Sequence, residues 1–306
     1  MFGSIFNNQS LASAVRGELA EHYVFVTKWG SLGDGNAQFT EAAGIGADAL
    51  GHIYVVDHGN DRIEKFDSNG KFIIAWGSNG EGNGQLNHAL DIAVYPCGNN
   101  LYVADRNNNR IEMFDSNGTF LRKWGSMGTG NGQFEYPEGI AVDSRQGNVY
   151  VADTYNNRIQ MFDDYGKFIT AWGSPGSANG EFNYPEGITV DKIGHVYVVD
   201  RENSRIEKFD SNGKFITAWG SPGSATGEFN YPEGIAVDAS DAVYVVDHGN
   251  DRIEKFDSNG KFITAWGSPG LSNGQFNKIS DVTVGLAGKV YVSDYGNNNV
   301  QVFGLS

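Results

Sequence analysis

The chain has 306 residues, of which 42 are glycine, six are tryptophan and one is cysteine, and its formal net charge at pH 7 is −15. The single Cys97 excludes a disulfide within the chain and a metal cluster built from cysteines. The balance of 22 basic against 37 acidic residues argues against a nucleic-acid partner, because affinity for a phosphate backbone comes mostly from Lys and Arg.

The first 21 residues form a segment that lacks the repeat found in the rest of the chain. Leu11, Val15 and Leu19 recur at intervals of four, which predicts a short amphipathic helix. Two roles are open for residues 1–21: packing against the chain's own fold, or docking on a neighbouring copy so that protomers assemble. No basic residue precedes Arg16 and no run of about 18 apolar residues occurs, so a cytoplasmic protein without a membrane span is the default expectation.

Residues 22–306 consist of six units of 47 or 48 residues. Each unit contains one tryptophan, at positions Trp29, Trp76, Trp124, Trp172, Trp219 and Trp266. Each also contains one aspartate that ends a stretch such as Val-Tyr-Val-Ala-Asp, at positions Asp57, Asp105, Asp153, Asp200, Asp247 and Asp294. The chain is therefore divided into an extension, 1–21, and one repeat domain, 22–306.

Each unit contains four short apolar runs separated by Gly, Asn or Asp, which predicts four β-strands joined by tight turns. In the third unit these runs are Gly139–Asp143, Asn148–Asp153, Arg158–Asp163 and Lys167–Trp172. The third and fourth runs are usually joined by Asn-Gly, a dipeptide that favours a hairpin turn. A period of roughly 40 to 50 residues with four strands predicts an all-β fold, a six-bladed β-propeller of four-stranded blades.

The two ends of the repeat domain complement each other. The last unit stops one strand short after Asn299–Phe303, and Tyr23–Trp29 is an unassigned fourth strand at the other end. We expect this N-terminal strand to complete the last blade, because an open blade would leave an unpaired sheet edge.

The units also resemble the NHL repeat. The resemblance rests on Pro137–Asp143, Gly147–Asp153, Asn157–Ile159 and Met161-Phe162, and it extends over all six units. Units one, two and six depart from the Pro-Glu-Gly start, with Ala42-Ala43-Gly44, Ala89-Leu90-Asp91 and Ile279-Ser280-Asp281. The resemblance implies a propeller in which first strands line a central channel and two sets of loops meet on one face.

This layout places a group of candidate binding residues at the mouth of the channel. Three glutamates, Glu138, Glu186 and Glu233, precede the inner strands of consecutive blades. The loops between second and third strands add His58, Arg106, Tyr155, Arg201, His248 and Tyr295. Three converging carboxylates predict either a Ca²⁺ site or a contact for a basic partner, and the alternative is that each glutamate pairs with a base of a neighbouring blade.

Similar propeller families suggest enzymatic alternatives. The peptidyl-hydroxyglycine lyases hold zinc with histidines at positions that correspond to Ala43, Leu90, Glu138, Glu186, Glu233 and Ser280, and none of these is histidine. The paraoxonase and gluconolactonase type hydrolases hold calcium in the channel with Glu, Asp and Asn, which keeps a calcium-dependent hydrolase or lyase open, with His58 or His248 as the base. Proteins with NHL propellers that bind RNA use a basic face, whereas the loop face of this chain has only Arg106 and Arg201 among several glutamates.

Other repeated residues are interpreted as structural. Arginine follows the strand-ending aspartate by five residues in five units, which predicts salt bridges between blades or hydrogen bonds to loops. The near-identity of the units favours equivalent environments over a dedicated catalytic site. The sequence therefore predicts a non-catalytic scaffold that binds a protein partner or assembles through its loop face.

Overall fold

A computed structural model describes residues 21–95 and 100–306. The described residues contain 24 β-strands arranged in six antiparallel sheets of four strands. Each sheet is one blade, and the fold is an all-β, six-bladed propeller, as the repeat predicts. The predicted helix in the extension lies outside the described residues.

The strands follow the chain from the inner to the outer position of each blade. β1 is Tyr23–Trp29, and it belongs to blade 6. Blade 1 contains β2 (Ala42–Ala47), β3 (Ile53–Asp57), β4 (Arg62–Phe66) and β5 (Phe72–Trp76). Blade 2 contains β6 (Ile92–Tyr95), β7 (Asn100–Asp105), β8 (Arg110–Asp115) and β9 (Phe120–Trp124). Blade 3 contains β10 (Pro137–Val142), β11 (Val149–Asp153), β12 (Arg158–Phe162) and β13 (Phe168–Trp172). Blade 4 contains β14 (Pro185–Val190), β15 (Val196–Asp200), β16 (Arg205–Phe209) and β17 (Phe215–Trp219). Blade 5 contains β18 (Pro232–Val237), β19 (Val243–Asp247), β20 (Arg252–Phe256) and β21 (Phe262–Trp266). Blade 6 contains β22 (Ile279–Val284), β23 (Val290–Asp294) and β24 (Asn299–Leu305), together with β1.

Short 3₁₀ turns follow the second strand in blades 1 to 5. They span His58–Asn60, Arg106–Asn108, Thr154–Asn156, Arg201–Asn203 and His248–Asn250. A sixth turn, Leu286–Gly288, lies between β22 and β23. No helix in the described parts of the chain is long and apolar enough to cross a membrane.

The N-terminal strand closes the ring as predicted. β1 pairs antiparallel with β24, with Phe25 opposite Phe303 and Trp29 opposite Val300. Blade 6 therefore joins the two ends of the repeat domain by main-chain hydrogen bonds. Its outer strand comes from residues that precede blade 1 in sequence.

The apolar core lies between neighbouring blades. The second strands are buried on both faces, because each blade packs against a blade on either side; β11, for example, is buried at all five residues. The tyrosine near the start of each second strand is enclosed at such an interface, at positions Tyr54, Tyr102, Tyr150, Tyr197, Tyr244 and Tyr291. This arrangement explains why the strands are nearly continuous apolar runs instead of alternating ones.

The repeated tryptophans pack between blades, as expected from their spacing. Trp29, at the end of the outer strand of blade 6, covers Gly70 in the Asn-Gly turn of blade 1. A Cβ on Gly70 would lie 2.4 Å from the indole, and its φ of +83° also favours glycine. At the closure, the described residues next to β1 and β24 contain no Asn-Gly turn, and Trp266 stacks on Tyr23 instead, with ring centroids 4.2 Å apart.

The repeated arginines form ion pairs within one blade and hydrogen bonds to a loop, so of the two predicted alternatives, salt bridges between blades or hydrogen bonds to loops, the second is observed. In blade 3, Arg158 Nε donates to Asp153 at 2.7 Å. Its Nη2 donates to the carbonyl oxygens of Gly130 and Gln133 in the loop that enters the blade, which matches the predicted loop hydrogen bonds. Asp153 and Arg158 lie opposite each other on adjacent strands, so the register of this hairpin brings their side chains together.

Candidate functional site

The inner strands of all six blades line a central channel, and loops form a cavity at one end of it. We call this cavity the mouth; its volume is about 480 Å³. Two kinds of segment build it: the turns after the second strands, and the residues just before and at the start of the inner strands. Glu138, Glu186 and Glu233 are each the second residue of an inner strand, whereas the sequence predicted that they precede it. The mouth is lined by His58, Leu90, Arg106, Glu138, Tyr155, Tyr184, Glu186, Arg201, Glu233, His248, Lys278, Ser280 and Tyr295. All nine residues selected from the sequence are among them.

The three glutamates each have a basic partner. Arg106 Nε donates to Glu138 Oε1 at 2.7 Å. Arg201 lies between the other two, with its Nε 2.9 Å from Glu186 Oε2 and its Nη2 3.4 Å from Glu233 Oε1. Arg106 and Glu138 come from blades 2 and 3, Arg201 and Glu186 both come from blade 4, and Glu233 comes from blade 5. The ion pairs therefore connect blade 2 to blade 3 and blade 4 to blade 5.

Burial and crowding perturb the titration of this network. Burial, together with the nearby charges of Glu233 and Glu138, raises the pKa of Glu186 well above its usual value, and Arg201 offsets only part of this. Burial also raises the pKa of Glu138, against the lowering effect of Arg106. Burial alone would lower the pKa of Arg201, but the surrounding glutamates raise it.

Calcium would have to compete with these ion pairs. Ca²⁺ takes about six to eight oxygen ligands, whereas the three glutamates already contact two guanidinium groups and one imidazole. Within residues 21–95 and 100–306, no group of three or more His, Cys, Asp or Glu side chains is arranged to hold a metal ion. The residues as arranged fit the ion poorly, and the calcium site stays a prediction.

The two histidines of the mouth differ in their surroundings, although they come from identical sequence segments. His248 Nδ1 lies 3.0 Å from Glu233 Oε2 and 2.9 Å from the Ile279 carbonyl oxygen, and these acceptors raise its pKa in spite of burial. His58 Nδ1 contacts the Ala89 carbonyl oxygen at 2.9 Å, and burial lowers its pKa. Because a carbonyl oxygen only accepts, Nδ1 of His58 carries the proton, and its neutral form has a bare Nε2.

A set of tyrosines on the rim of the mouth was not selected from the sequence, apart from Tyr155. We call Tyr136, Tyr155, Tyr184 and Tyr231 the tyrosine arc. Tyr155 contacts both Tyr136 and Tyr184 with ring centroids 4.9 Å apart. Arg106 covers the ring of Tyr136 at 4.9 Å, and Arg201 covers that of Tyr231 at 5.0 Å. Tyr155, Tyr184 and Tyr231 are 38%, 36% and 48% exposed.

The sequence signal for the arc was the residue before Pro-Glu-Gly in units three to five. Tyr136, Tyr184 and Tyr231 occupy this position, and each has a φ between 49° and 58°. Non-glycine residues seldom adopt this conformation, so its repetition needs support from neighbours. The main-chain N–H of Tyr136 and of Tyr184 donates to the side-chain oxygen of Asn109 and of Asn157 in the preceding blade.

Two further carboxylates below the mouth were also missed. Asp91 and Asp281 replace the glycine of Pro-Glu-Gly in blades 2 and 6, and they line a narrow neck of the channel with the three glutamates. Asp91 Oδ2 accepts the N–H of Ile140 in blade 3, and Asp281 Oδ2 accepts the N–H of Ile45 in blade 1. Burial raises the pKa of Asp91 to about 6. These carboxylates connect inner strands of adjacent blades.

Comparisons with known proteins agree with this architecture. A model of the NHL repeat matches residues 134–162 and 276–303, and a model described as a 6-bladed beta-propeller matches residues 192–266. No curated protein matches the chain in sequence.

Several solved structures are similar in fold. A streptogramin B lyase is 14% identical with a TM-score of 0.65, covering 94% of this chain and 98% of its own. A virginiamycin B lyase from Staphylococcus aureus is 17% identical with a TM-score of 0.62, covering 93% and 88%. A gluconolactonase from Xanthomonas campestris is 13% identical with a TM-score of 0.64, covering 89% and 88%. At these identities the likeness shows the fold alone. The chain is therefore a six-bladed β-propeller that contains NHL repeats, matched at residues 134–162 and 276–303.

Proposed function

We propose that this propeller is a non-catalytic binding module, and that its partner is a protein segment with basic side chains that docks on the tyrosine arc and the mouth. The observation that carries the proposal is the arc itself. Tyr155 and Tyr184 line the mouth side by side with partly exposed rings, and the exposed Tyr231 packs against Arg201, which also lines the mouth. Tyrosine and arginine are enriched in the energetically dominant parts of protein interfaces.

Charge supports a basic partner. The chain has a net charge of −15, and the faces of tyrosine rings attract cations. The arginines of the mouth are already paired with Glu138, Glu186 and Glu233, so their positive charge is neutralised locally. An approaching Lys or Arg side chain therefore meets aromatic faces on an acidic protein, which favours fast and salt-sensitive association.

We expect Tyr184→Ala to weaken binding of basic peptides about tenfold, or about 1.4 kcal/mol, because it removes an exposed aromatic surface without opening the core. The measurement is fluorescence anisotropy with an Arg- and Lys-rich peptide and with the same peptide carrying Glu at the basic positions. Tyr165→Ala is the matched control, because Tyr165 is 61% exposed and also stacks with an arginine, Arg122, but lies in a turn between third and fourth strands.

The proposal fails if the basic peptide does not bind, if the acidic peptide binds equally well, or if Tyr165→Ala weakens binding as much as Tyr184→Ala. The last outcome would identify a non-specific attraction of the acidic chain for cations.

A calcium-dependent hydrolase or lyase is the second candidate, and one observation favours an enzyme. His58 has a fixed tautomer and a lowered pKa, and its neutral form presents the bare nitrogen that a general base needs. We expect calorimetry to show no calcium binding to the wild type, and ester or lactone substrates to show no turnover that His58→Gln abolishes. A heat of calcium binding that is present in the wild type and absent in Glu186→Gln, together with turnover that depends on His58, would replace the binding proposal with the enzymatic one.

Assembly through residues 1–21 is a separate proposal about the partner. Residues 1–20 lie outside the described part of the chain, and the described part begins with Glu21, which forms an ion pair with Lys255. Light scattering on a chain that starts at Glu21 tests the idea, because assembly through this segment predicts a lower mass than that of the full chain. An unchanged mass would remove it.

A further inference from the structure

Four glutamates are buried inside the blades, away from the mouth and independent of the proposed function. They occupy the same position of the third strand in blades 1, 2, 4 and 5, and each is 0% exposed: Glu64, Glu112, Glu207 and Glu254. Blades 3 and 6 carry glutamine at this position, Gln160 and Gln301, which are equally buried. The chain thus contains its own comparison between acid and amide in one environment.

The glutamine blades show which hydrogen bonds the position requires. Gln160 Oε1 accepts the main-chain N–H of Gly132 at 2.9 Å. Its Nε2 donates to the carbonyl oxygen of Gln133 at 2.6 Å and to Asp153 Oδ2 at 3.0 Å. Gln301 makes the same three contacts in blade 6. The position therefore offers one donor on one side and two acceptors on the other.

In the glutamate blades the first contact is kept. Glu112 Oε2 accepts the N–H of Gly84 at 3.1 Å, and the corresponding oxygens of the other three accept from Ala37, Gly180 and Gly227. The second oxygen, Oε1, corresponds to the glutamine amide nitrogen, and in the four blades it lies between 2.6 and 3.0 Å from Nη2 of the arginine on the same strand. In all four residues Oε1 is buried without a hydrogen-bond partner in the described structure.

The neighbouring arginine has no hydrogen left for this oxygen. Arg110 Nη2 lies 3.0 Å from Glu112 Oε1, but it already donates to the carbonyl oxygens of Gly82 and Gln85. A terminal guanidinium nitrogen carries only two hydrogens, so both are committed. The arginines of the other three blades, Arg62, Arg205 and Arg252, donate through Nη2 in the same way.

We propose that Glu64, Glu112, Glu207 and Glu254 are neutral carboxylic acids in the folded chain, each donating its proton to the loop carbonyl that the amide of Gln160 or Gln301 contacts in the other blades. The accepting carbonyls are those of Gln38, Gln85, Glu181 and Glu228, which also bind the arginine. A carboxylic acid has both an acceptor oxygen and a donor O–H, so it reproduces the pattern of a glutamine amide. The propeller therefore takes up protons as it folds.

The charged surroundings agree with this assignment. Burial raises the pKa of each of the four glutamates to about 7, although an arginine on the same strand lowers it. The negative charge of the aspartate that ends the second strand adds to the rise in pKa, as Asp105 does for Glu112. Lys123 also lies near Glu112, and Glu181 near Glu207. A pKa raised in the folded state means stability that is complete below the ordinary glutamate value and is lost as pH rises through about 7.

The test compares thermal unfolding of the wild type with that of a fourfold variant, Glu64→Gln, Glu112→Gln, Glu207→Gln and Glu254→Gln, between about pH 5.5 and 8. We expect the wild type to lose stability as pH rises, by roughly tenfold in the folding equilibrium per pH unit for each protonated group. The variant should have a flatter profile and should be more stable than the wild type at pH 8. Gln160→Glu is the reciprocal control, and it should add one further pH-dependent step.

Infrared detection of protonated carboxyl groups gives a second readout, which does not depend on the stability of the variants. Infrared difference spectra of the folded wild type should contain a protonated carboxyl band at neutral pH that weakens with each single glutamine substitution. A wild-type stability that is flat or rises from pH 5.5 to 8, or a band that none of the four substitutions weakens, would overturn the proposal.

Discussion

We expect Tyr23→Ala to lower the free energy of unfolding by about 3–5 kcal/mol, the range found for removal of a large buried aromatic side chain. Tyr23 is 6% exposed and stacks on Trp266 at the seam where the two ends of the repeat domain meet. Its hydroxyl lies 2.8 Å from that of Tyr244 and 3.2 Å from Lys255 Nζ. The substitution therefore opens a cavity and also removes a polar contact of two buried groups.

The size of the effect follows from the position of Tyr23 in the ring. In the other blades, the tryptophan covers a glycine turn of the next blade, and lysines such as Lys65 donate to a main-chain carbonyl there. The described part of blade 6 contains no such turn, and Tyr23 and Glu21 contact Trp266 and Lys255 in its place. The ring is held closed at the seam by side chains that no other blade duplicates.

Denaturant unfolding monitored by tryptophan fluorescence measures the loss. Tyr23→Phe is the matched control, because it keeps the stacked ring and removes only the hydroxyl, for an expected loss of about 1 kcal/mol. An equal loss in the two variants would contradict a role for ring packing at the seam.

Arg110→Asn should also destabilise the chain by about 3–5 kcal/mol, because it leaves a buried carboxylate without its cation. Arg110 is 6% exposed and Asp105 is 0% exposed, and they form a 2.7 Å ion pair. The same guanidinium binds three loop carbonyls, those of Glu81, Gly82 and Gln85. Their loss releases the loop that connects blade 1 to blade 2.

Blade 6 provides the control for this prediction. There the arginine position is Asn299, and Gln301 donates its amide to the blade's aspartate, Asp294, at 3.1 Å. The double variant Arg110→Asn with Glu112→Gln copies this arrangement into blade 2, so it should lose less stability than Arg110→Asn alone. Equal losses in urea unfolding would show that the amide does not substitute for the guanidinium at the aspartate.

Most of the fold could be predicted because its information is local and repeated. Six tryptophans and six aspartates at a constant spacing define the blades, and the apolar runs of unit three lie within two residues of β10 to β13. Residues at the same position of the repeat lie at the same place in each blade. For this reason the nine selected residues, although spread over all six blades, line one cavity.

The chemistry of the mouth was less predictable. The open alternatives for the glutamates were a metal, a basic partner or a neighbouring base, and the structure places Arg106 and Arg201 against them. Asp91 and Asp281 were not recognised as site residues, because in the sequence they appear only as departures from Pro-Glu-Gly. Their contacts with Ile140 and Ile45 join adjacent blades through residues that are 49 and 236 positions apart in the sequence.

The sequence by itself determined the number of blades, the strand order and the closure by the N-terminal strand, because these follow from periodicity and from one missing strand. Only the tertiary structure decided the partners and the protonation of the ionisable groups. Glu112 and Gln160 have the same place in the repeat, and which atoms face them depends on a loop that arrives from the preceding blade. Electrostatic interactions act through space over a few ångströms, and such distances are set by the packing of blades and not by spacing along the chain.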